Sequence, residues 1–183
     1  QAITTGDEGL TAGEIKIPVA DGSIPGYRAL PKGGKNLPVM LVIQEIFGVH
    51  EHIKDLCRRY AKQGYYAIAP EMFARQGDVS KMTDINQILT DVVSKVPDAQ
   101  VMRDIDATLA FAKASGSADA GSVGIIGFCW GGRTVWLYAR HNPKILSHHG
   151  DITPLQRAPL CQVFQPRQPR QRARVVTEQR GRD

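Results

Sequence analysis

The feature that most constrains this chain is a short glycine-rich turn between an apolar segment and a helical pattern. Residues 122–128 read Ser-Val-Gly-Ile-Ile-Gly-Phe, and residues 133–139 continue with apolar residues at helical spacing. Gly127 and Gly131 each stand two positions from Cys129. A strand that turns sharply into a helix brings two backbones close together, so residues without a side chain are needed on both sides of the turn. The pattern predicts a strand, a tight turn that carries Cys129, and a helix.

A cysteine at such a turn has the chemistry of a nucleophile. The helix that follows offers free N–H groups and the positive end of its dipole, which favour a thiolate and a developing oxyanion. This layout is typical of the nucleophile elbow of α/β-hydrolases, with cysteine where serine is usual. The alternative is a structural cysteine buried in a glycine-rich turn, because free cysteine is common in protein cores.

The rest of the sequence alternates between strand and helix patterns. An Asp-Gly pair between two alternating segments predicts a β-hairpin, in which Pro18 and Pro25 favour an edge position. The predicted elements are hairpin strands at 14–20 and 24–30, strands at 38–44 and 65–69, and helices at 51–61, 83–93 and 97–115. A hairpin followed by this alternation predicts an α/β fold with a mainly parallel sheet and helices on both faces.

Composition narrows the classes of protein further. A chain of 183 residues suits one domain, and it has no apolar run of the length that a membrane-spanning helix needs. Its three cysteines, Cys57, Cys129 and Cys161, fit neither a disulfide framework nor a zinc site. We therefore expect a reducing, cytoplasmic setting and no metal or cofactor. The first residue is Gln1 rather than Met, which predicts that an N-terminal piece was removed.

Several separated segments resemble the dienelactone hydrolase (carboxymethylenebutenolidase) family. These are Gln-Glu-Ile-Phe-Gly at 44–48 with the helix after it, Ala-Ile-Ala-Pro at 67–70, Arg75, and Gly-Phe-Cys-Trp-Gly-Gly at 127–132. The resemblance implies an α/β-hydrolase-type fold and a small lactone or ester as the substrate. It also implies that the acyl group passes to a cysteine and is then released by water, without a cofactor.

The resemblance implies a role for each of five residues. Cys129 matches the nucleophile, and the backbone N–H groups of Ile46 and Trp130 match the oxyanion donors. Glu45 matches a glutamate that pairs with the resting thiol, and Arg75 matches an arginine that receives a carboxylate of the substrate. Without the resemblance, Glu45 could be a strand-end acid in solvent, but its place directly after an apolar run favours a role in the site. Arg75 without the resemblance is interpreted as a solvated loop arginine.

The sequence departs from the family pattern after Pro143. The aspartate and histidine of the family's catalytic triad have no matching positions, and the family's C-terminal strands and helices are missing. Residues 151–183 hold seven arginines, six glutamines, four prolines and three acidic residues, whereas residues 1–150 hold 16 basic and 15 acidic residues. We therefore predict a partial α/β-hydrolase domain at 1–146 and a tail at 147–183 that is either frameshifted or disordered. The strand before Cys129 is then expected to form an open edge of the sheet.

None of the five histidines fits the role of catalytic base from its position in the sequence. His141 lies at the end of the helix after Cys129, where histidine is a common partner of the helix dipole. His50 and His52 flank the start of the helix at 51–61 and are interpreted as polar residues of a helix start. His148 and His149 have no further ligand at a spacing that completes a metal site.

These observations predict a hydrolase of small lactones or esters that uses Cys129 and whose activity is reduced by the missing base. One alternative is a family-derived fragment without activity. The other is a binder of acidic partners or RNA through the arginines of residues 167–182. Those arginines have no aromatic residues interleaved with them and no nucleic-acid-binding fold signature, so nucleic acid is not an expected partner. The sequence predicts no membrane association and leaves the oligomeric state open.

Overall fold

The computed structural model describes residues 4–145 and the backbone of residues 147–151. The strands are β1 (Leu10–Val19), β2 (Gly22–Pro31), β3 (Leu37–Ile43), β4 (Tyr66–Pro70), β5 (Ala118–Phe128) and β6 (Ser147–Asp151). The helices are α1 (Glu51–Lys62), α2 (Ile85–Asp91), α3 (Asp98–Ala114) and α4 (Trp130–His141), with two 3-10 turns at Val79–Lys81 and Val93–Lys95. The six strands form one sheet in the order β1-β2-β4-β3-β5-β6.

The sheet is mainly parallel, as the sequence predicts. Strands β4, β3, β5 and β6 run parallel to one another, and β2 is the strand that pairs antiparallel with its two neighbours, β1 and β4. In the hairpin turn, Gly22 has φ 138°, a conformation that favours glycine. Strand β1 lies at the edge as Pro18 suggests, but β2 pairs on both sides. Pro25 is accommodated because it lies just outside the residues that pair with β4, Gly26–Ala29.

Helices cover both faces of the sheet, as predicted for an α/β fold. Helix α1 packs on one face through Ile53, Cys57 and Ala61, which contact apolar residues of β3 and β4. Helices α3 and α4 pack on the other face, where Ile105 and Tyr138 are fully buried. This arrangement buries β3 and β4 on both sides and fixes the carboxyl ends of β3, β4 and β5 at one edge of the sheet.

The second predicted helix is shorter than its sequence pattern suggests. Helix α2 begins after Asp84, whose side chain accepts hydrogen bonds from two N–H groups of the first turn, and it ends at Asp91. Ile88 is buried, but Ile85 and Leu89 are 51% and 41% exposed. The predicted apolar stripe is therefore only partly buried, and a 3-10 turn replaces the last part of the helix.

The expectation that β5 forms an open edge is wrong. Strand β6 pairs in parallel with β5, from Ser147 opposite Gly124 to Asp151 opposite Phe128. The sheet thus continues past the predicted boundary at residue 146. The segment reads Ser-His-His-Gly-Asp, which has neither the apolar run nor the alternation that predicts a strand. The remainder of the predicted tail, residues 152–183, lies outside the described residues.

None of the helices within the described ranges is long and apolar enough to cross a membrane.

Candidate active site

Cys129 has a strained backbone at the point where β5 turns into α4. Its φ of 54° and ψ of −119° place it in a region that residues with a side chain rarely adopt. Such a conformation has a free-energy penalty on the order of 1–3 kcal/mol and persists only where the surrounding packing enforces it. The side chain is exposed, and Cys129 is also the N-cap residue of α4. The structure therefore places this cysteine in an elbow between strand and helix, as its sequence predicts.

The two glycines of the motif are required by backbone packing. A methyl group on Gly127 would lie 2.6 Å from the backbone carbonyl carbon of Gly131. A methyl group on Gly131 would overlap the carbonyl oxygen of Gln44 and lie 2.7 Å from that of Ile43. The first turn of α4 therefore rests directly on the end of β3. This contact confirms the reason for which glycine was expected at both positions.

The same contact joins the two segments that carry the predicted oxyanion donors. Strands β3 and β5 are neighbours, and Ile43 is in register with Gly127. Ile46 and Trp130 each follow these paired residues by three positions, one in the loop after β3 and the other at the start of α4. Both backbone N–H groups thus come from segments that leave the same edge of the sheet. Their role as donors to an oxyanion stays a prediction.

Glu45 is paired with a histidine of its own loop. Its Oε2 atom lies 3.4 Å from Nε2 of His50, and both side chains are about one quarter to one third exposed. His50 is the N-cap residue of α1, which agrees with its interpretation as a helix-start residue, but its side chain makes no capping hydrogen bond. No sequence pattern identifies this pair. The related feature of the sequence is Gly48, whose φ of 74° allows the sharp turn that brings Glu45 and His50 together.

Aromatic contacts continue from this pair toward the elbow. The ring of His50 stacks on that of His52 at a centroid distance of 6.1 Å. The ring of His52 in turn lies 6.5 Å from that of Phe128, the residue before Cys129. On the other side of the elbow, the rings of Phe73 and Trp130 meet edge to face at 4.9 Å. The first turn of α1 and the loop after β4 are therefore both in contact with residues next to Cys129.

Two polar side chains that no sequence motif singles out connect the loops after β3 and β4. Glu71 accepts a hydrogen bond from the N–H of Val49 at 2.7 Å and another from the N–H of Phe73 at 3.3 Å. Buried Gln44 accepts one from the N–H of Met72 at 2.8 Å. Because buried N–H groups need partners, these bonds fix the loop that follows Ile46 relative to the loop after β4.

Arg75 is bound by two aspartates. Its guanidinium donates two hydrogen bonds to Asp21 at 2.6 and 2.7 Å and two to Asp104 at 2.7 and 3.1 Å. These bonds raise the pKa of Arg75 and lower the pKa of the Asp21 carboxyl. Four hydrogen bonds leave Arg75 one of its five donors. The contacts hold Arg75 in place, and its predicted role toward a substrate carboxylate stays a prediction.

A cavity of about 460 Å³ lies beside the loop that carries Ile46. Its lining combines apolar, hydroxyl and acidic side chains: Ser23, Pro25, Phe47, Val49, His50, Glu71, Ala74, Gly77, Asp78, Val79 and Ser80. Cys129 is not among the residues that line it.

His141 lies at the opposite end of α4 from Cys129. Its Nε2 atom is 2.8 Å from Asp106, which also accepts a hydrogen bond from Tyr138. This arrangement fastens the C-terminal end of α4 to α3. Across residues 4–145 and 147–151, no group of three or more histidine, cysteine, aspartate or glutamate side chains is arranged to hold a metal ion.

Comparisons with known proteins agree with this architecture. The model of the dienelactone hydrolase family matches residues 24–169. A protein of Methylorubrum extorquens, provisionally named a carboxymethylenebutenolidase, is 65% identical over 143 residues, which cover 78% of this chain and 49% of the relative. A protein of Escherichia coli K12 with the same provisional name is 49% identical over 155 residues, covering 82% of this chain and 57% of the relative.

Solved structures show the same fold. The crystal structure of a protein from Klebsiella pneumoniae, provisionally named a dienelactone hydrolase, has a TM-score of 0.73 and 51% identity, and the match covers 76% of this chain and 58% of that one. A dienelactone hydrolase-like promiscuous phosphotriesterase from metagenomic libraries has a TM-score of 0.65 and 25% identity, with the same coverage. The chain thus spans about half the length of the curated relatives that it matches.

Proposed function

Because the chain belongs to the dienelactone hydrolase family, a family of ester-type hydrolases, we propose that it hydrolyses small lactones or esters through Cys129. The observation that carries this proposal is the elbow itself. The thiol is exposed on a residue with positive φ at the start of α4, and two glycines pack so closely that no other residue fits. A strained, exposed cysteine between strand and helix has a clear chemical use and no evident structural one.

In the proposed reaction, the Cys129 thiolate attacks the carbonyl carbon of the ester. The new carbon–sulfur bond shifts an electron pair to the carbonyl oxygen, which the N–H groups of Ile46 and Trp130 stabilise. The pair on the oxyanion then re-forms the carbonyl double bond, the carbon–oxygen bond to the leaving group breaks, and the alkoxide or enolate departs with the electrons of that broken bond, which leaves the acyl group as a thioester on Cys129. Donors aimed at such an oxyanion contribute about 3 kcal/mol each to lowering the barrier.

Glu45 and His50 have supporting roles in this proposal. We propose that Glu45 pairs with the resting thiol, as the family resemblance implies, and that His50 holds its carboxylate at the site. The predicted contact of Arg75 with a substrate carboxylate stays a prediction and is not a step of this reaction. Release of the acyl group needs a base that activates water. Since triad members act as a unit, we expect turnover of this chain at about one thousandth of that of a chain with the complete triad.

The proposal is tested with p-nitrophenyl acetate as an activated ester. The wild-type chain should release about one equivalent of nitrophenolate in a fast phase and then turn over slowly, because acylation precedes the impaired step. Peptide mass spectrometry should find the acetyl group on Cys129. The matched control is Cys57→Ala, which removes the other described cysteine and should keep the fast phase, whereas Cys129→Ala should lose it.

Each other outcome assigns a different function. Absence of an acetyl group on Cys129 in a folded sample would favour the alternative of a family-derived fragment without activity. Fast continued turnover that depends on Cys129 would show that a base is present. His50 is then the first residue to replace, because it already binds Glu45. A loss of turnover in His50→Gln with the acetyl-enzyme retained would assign the deacylation step to this histidine.

We further propose that the chain works in a reducing compartment such as the cytoplasm. Cys57 and Cys129, the cysteines within the described ranges, are both free, and a nucleophilic thiol must stay reduced. Recovery of the chain with its Cys129 thiol reduced in a cytoplasmic fraction would support this assignment. Recovery from an oxidising compartment would contradict it.

A further inference from the structure

One carboxylate oxygen of Glu71 contacts the end of the tight turn that follows β3. Glu45 and Gly48 form an isolated antiparallel bridge, and Ile46 lies inside the turn that this bridge closes. Gly48 has φ 74°, and a methyl group on it would lie 2.8 Å from Oε2 of Glu71. The same oxygen accepts the hydrogen bond from the N–H of Val49 at 2.7 Å. The carboxylate therefore packs directly against the turn that carries one predicted oxyanion donor.

The other oxygen of Glu71 binds the loop after β4. It accepts a hydrogen bond from the N–H of Phe73 at 3.3 Å. The ring of Phe73 is fully buried and meets the ring of Trp130, the second predicted donor residue, edge to face. The N–H of Glu71 itself donates to the carbonyl oxygen of Pro25 on β2 at 2.8 Å. Glu71 is thus anchored to the sheet by its backbone and linked through its side chain to the segments of both donors.

We propose that Glu71 is a positioning residue for acylation, because it fixes the segments of the two oxyanion donors relative to each other. The inference rests on the proposed function, since it concerns the oxyanion that forms when Cys129 attacks an ester. A carboxylate suits this role because both of its oxygens accept hydrogen bonds and neither donates. Fixed geometry is needed because a displacement of about 1 Å can slow a reaction about a hundredfold.

The test compares two reactions of the same thiol that differ in whether an oxyanion forms. With p-nitrophenyl acetate, the sulfur attacks a carbonyl carbon, and negative charge develops on the carbonyl oxygen before nitrophenolate leaves. With iodoacetamide, the sulfur attacks the CH₂ carbon, the carbon–iodine bond breaks, and iodide leaves with its electron pair. Only the first reaction uses oxyanion donors. Both rate constants are measured at Cys129 in the full chain, by peptide mass spectrometry of samples quenched at intervals.

Glu71→Gln keeps one acceptor oxygen and replaces the other by an NH₂ group, so it cannot accept hydrogen bonds from both N–H groups. The rate constant of acetylation should fall at least about tenfold, whereas that of alkylation should stay within about twofold of wild type. The matched control is Asp78→Asn, which removes a carboxylate that lines the same cavity as Glu71. Asp78 accepts its hydrogen bonds from Ser80 in its own segment, so both rate constants should stay within about twofold.

The result in Glu71→Gln decides the positioning role. An unchanged acetylation rate would overturn it, and so would an equal loss of both reactions in a folded chain, because the elbow as a whole would then be disturbed. A loss of acetylation of the same size in Asp78→Asn would assign the effect to charge and would also overturn it.

Hydrogen exchange in the wild-type chain decides the matter if Glu71→Gln does not fold. The N–H of Val49 should exchange at least about a hundredfold more slowly than in an unstructured peptide. Exchange at the unprotected rate would show that Glu71 does not hold the turn. A different pattern would overturn the proposed function, and the positioning role with it: a wild-type chain in which Cys129 is alkylated by iodoacetamide but never acetylated.

Discussion

The two cysteines that the structure describes show how far environment separates residues of one type. Cys57 lies on the buried face of α1 with no solvent exposure, and this burial raises the pKa of its thiol well above the ordinary value. Cys129 lies exposed at the N-terminus of α4, on a backbone with positive φ. The first behaves as a small apolar core residue, and the second has the access and the helix position of a nucleophile.

The difference in exposure between Cys57 and Cys129 is produced by backbone packing more than by neighbouring charges. At Cys57 a regular helix directs the side chain into the core beneath it, among residues of β3 and β4. At Cys129 the close contact of Gly131 with the end of β3 forces the chain to turn before the helix begins, which leaves the side chain outside. A site of this kind depends on glycines that carry no chemistry of their own.

The largest effect that we expect is a difference in alkylation. In the native chain, iodoacetamide should modify Cys129 about a thousandfold faster than Cys57, because only Cys129 offers an accessible sulfur without local unfolding. The rates are measured by quenching at intervals and quantifying both peptides by mass spectrometry. In denaturant the two rates should become similar. Equal rates in a folded sample would remove the distinction between the two environments.

A second prediction concerns the glycine contact that forms the elbow. Gly131→Ala should lower the free energy of unfolding by about 3 kcal/mol, because its methyl group overlaps the carbonyl groups at the end of β3. Gly13→Ala is the matched control, since a methyl group there meets nothing within 4 Å, and its effect should stay within about 0.5 kcal/mol. Urea unfolding measures both. A Gly131→Ala chain as stable as wild type would mean that the first turn of α4 does not need to contact the end of β3.

A third prediction concerns pH and the helix that carries Cys57. Burial opposes ionisation of Asp55 on α1, but a hydrogen bond from the N–H of Thr5 and the nearby Arg59 outweigh it, and the pKa of this carboxyl is lowered. A group with a lowered folded pKa stabilises the chain above its unfolded pKa of about 3.9, and this stabilisation is lost as the pH falls through the folded pKa. The free energy of unfolding should therefore decrease between about pH 5 and pH 2.

Asp55→Asn should make this decrease less steep, because the amide does not titrate. The measurement is urea unfolding across the pH range, with Asp7→Asn as a control at an exposed carboxyl. A profile of Asp55→Asn that runs parallel to wild type would show that other carboxyls cause the acid sensitivity.

The smallest effect is expected at the ion pair behind the elbow. Arg133 on α4 donates to both oxygens of Asp98 on α3 at 2.7 and 2.8 Å, but both side chains are about half exposed. Exposed pairs contribute little, so Arg133→Ala should change the free energy of unfolding by less than about 1 kcal/mol and leave the alkylation of Cys129 unchanged. A loss of Cys129 reactivity in a stable Arg133→Ala chain would show that this pair holds the start of α4 in place.

Much of the fold could be predicted because its signals are local. The apolar segments of β3, β4 and β5, the Asp-Gly turn and the stripe of α1 are each specified by a few consecutive residues. Strand β6 could not be predicted, because Ser-His-His-Gly-Asp becomes a strand only by pairing with β5. The length of helix α2 was overestimated for a related reason. Apolar residues at helical spacing do not show whether another part of the chain is present to bury them.

The sequence by itself determined the elbow, since Gly-x-Cys-x-Gly between a strand and a helix leaves the backbone one compact way to turn. Only the tertiary structure decided which side chains meet around it. Glu45 with His50, Glu71 with Val49, and Arg75 with two aspartates are contacts between groups up to 54 positions apart in the chain. A charged residue gives the same sequence pattern whether its side chain is free to bind a ligand or is already paired with another residue. The partners of such a residue lie on other strands, helices and loops. Whether its side chain is free to bind a ligand therefore depends on how the tertiary structure brings those elements together.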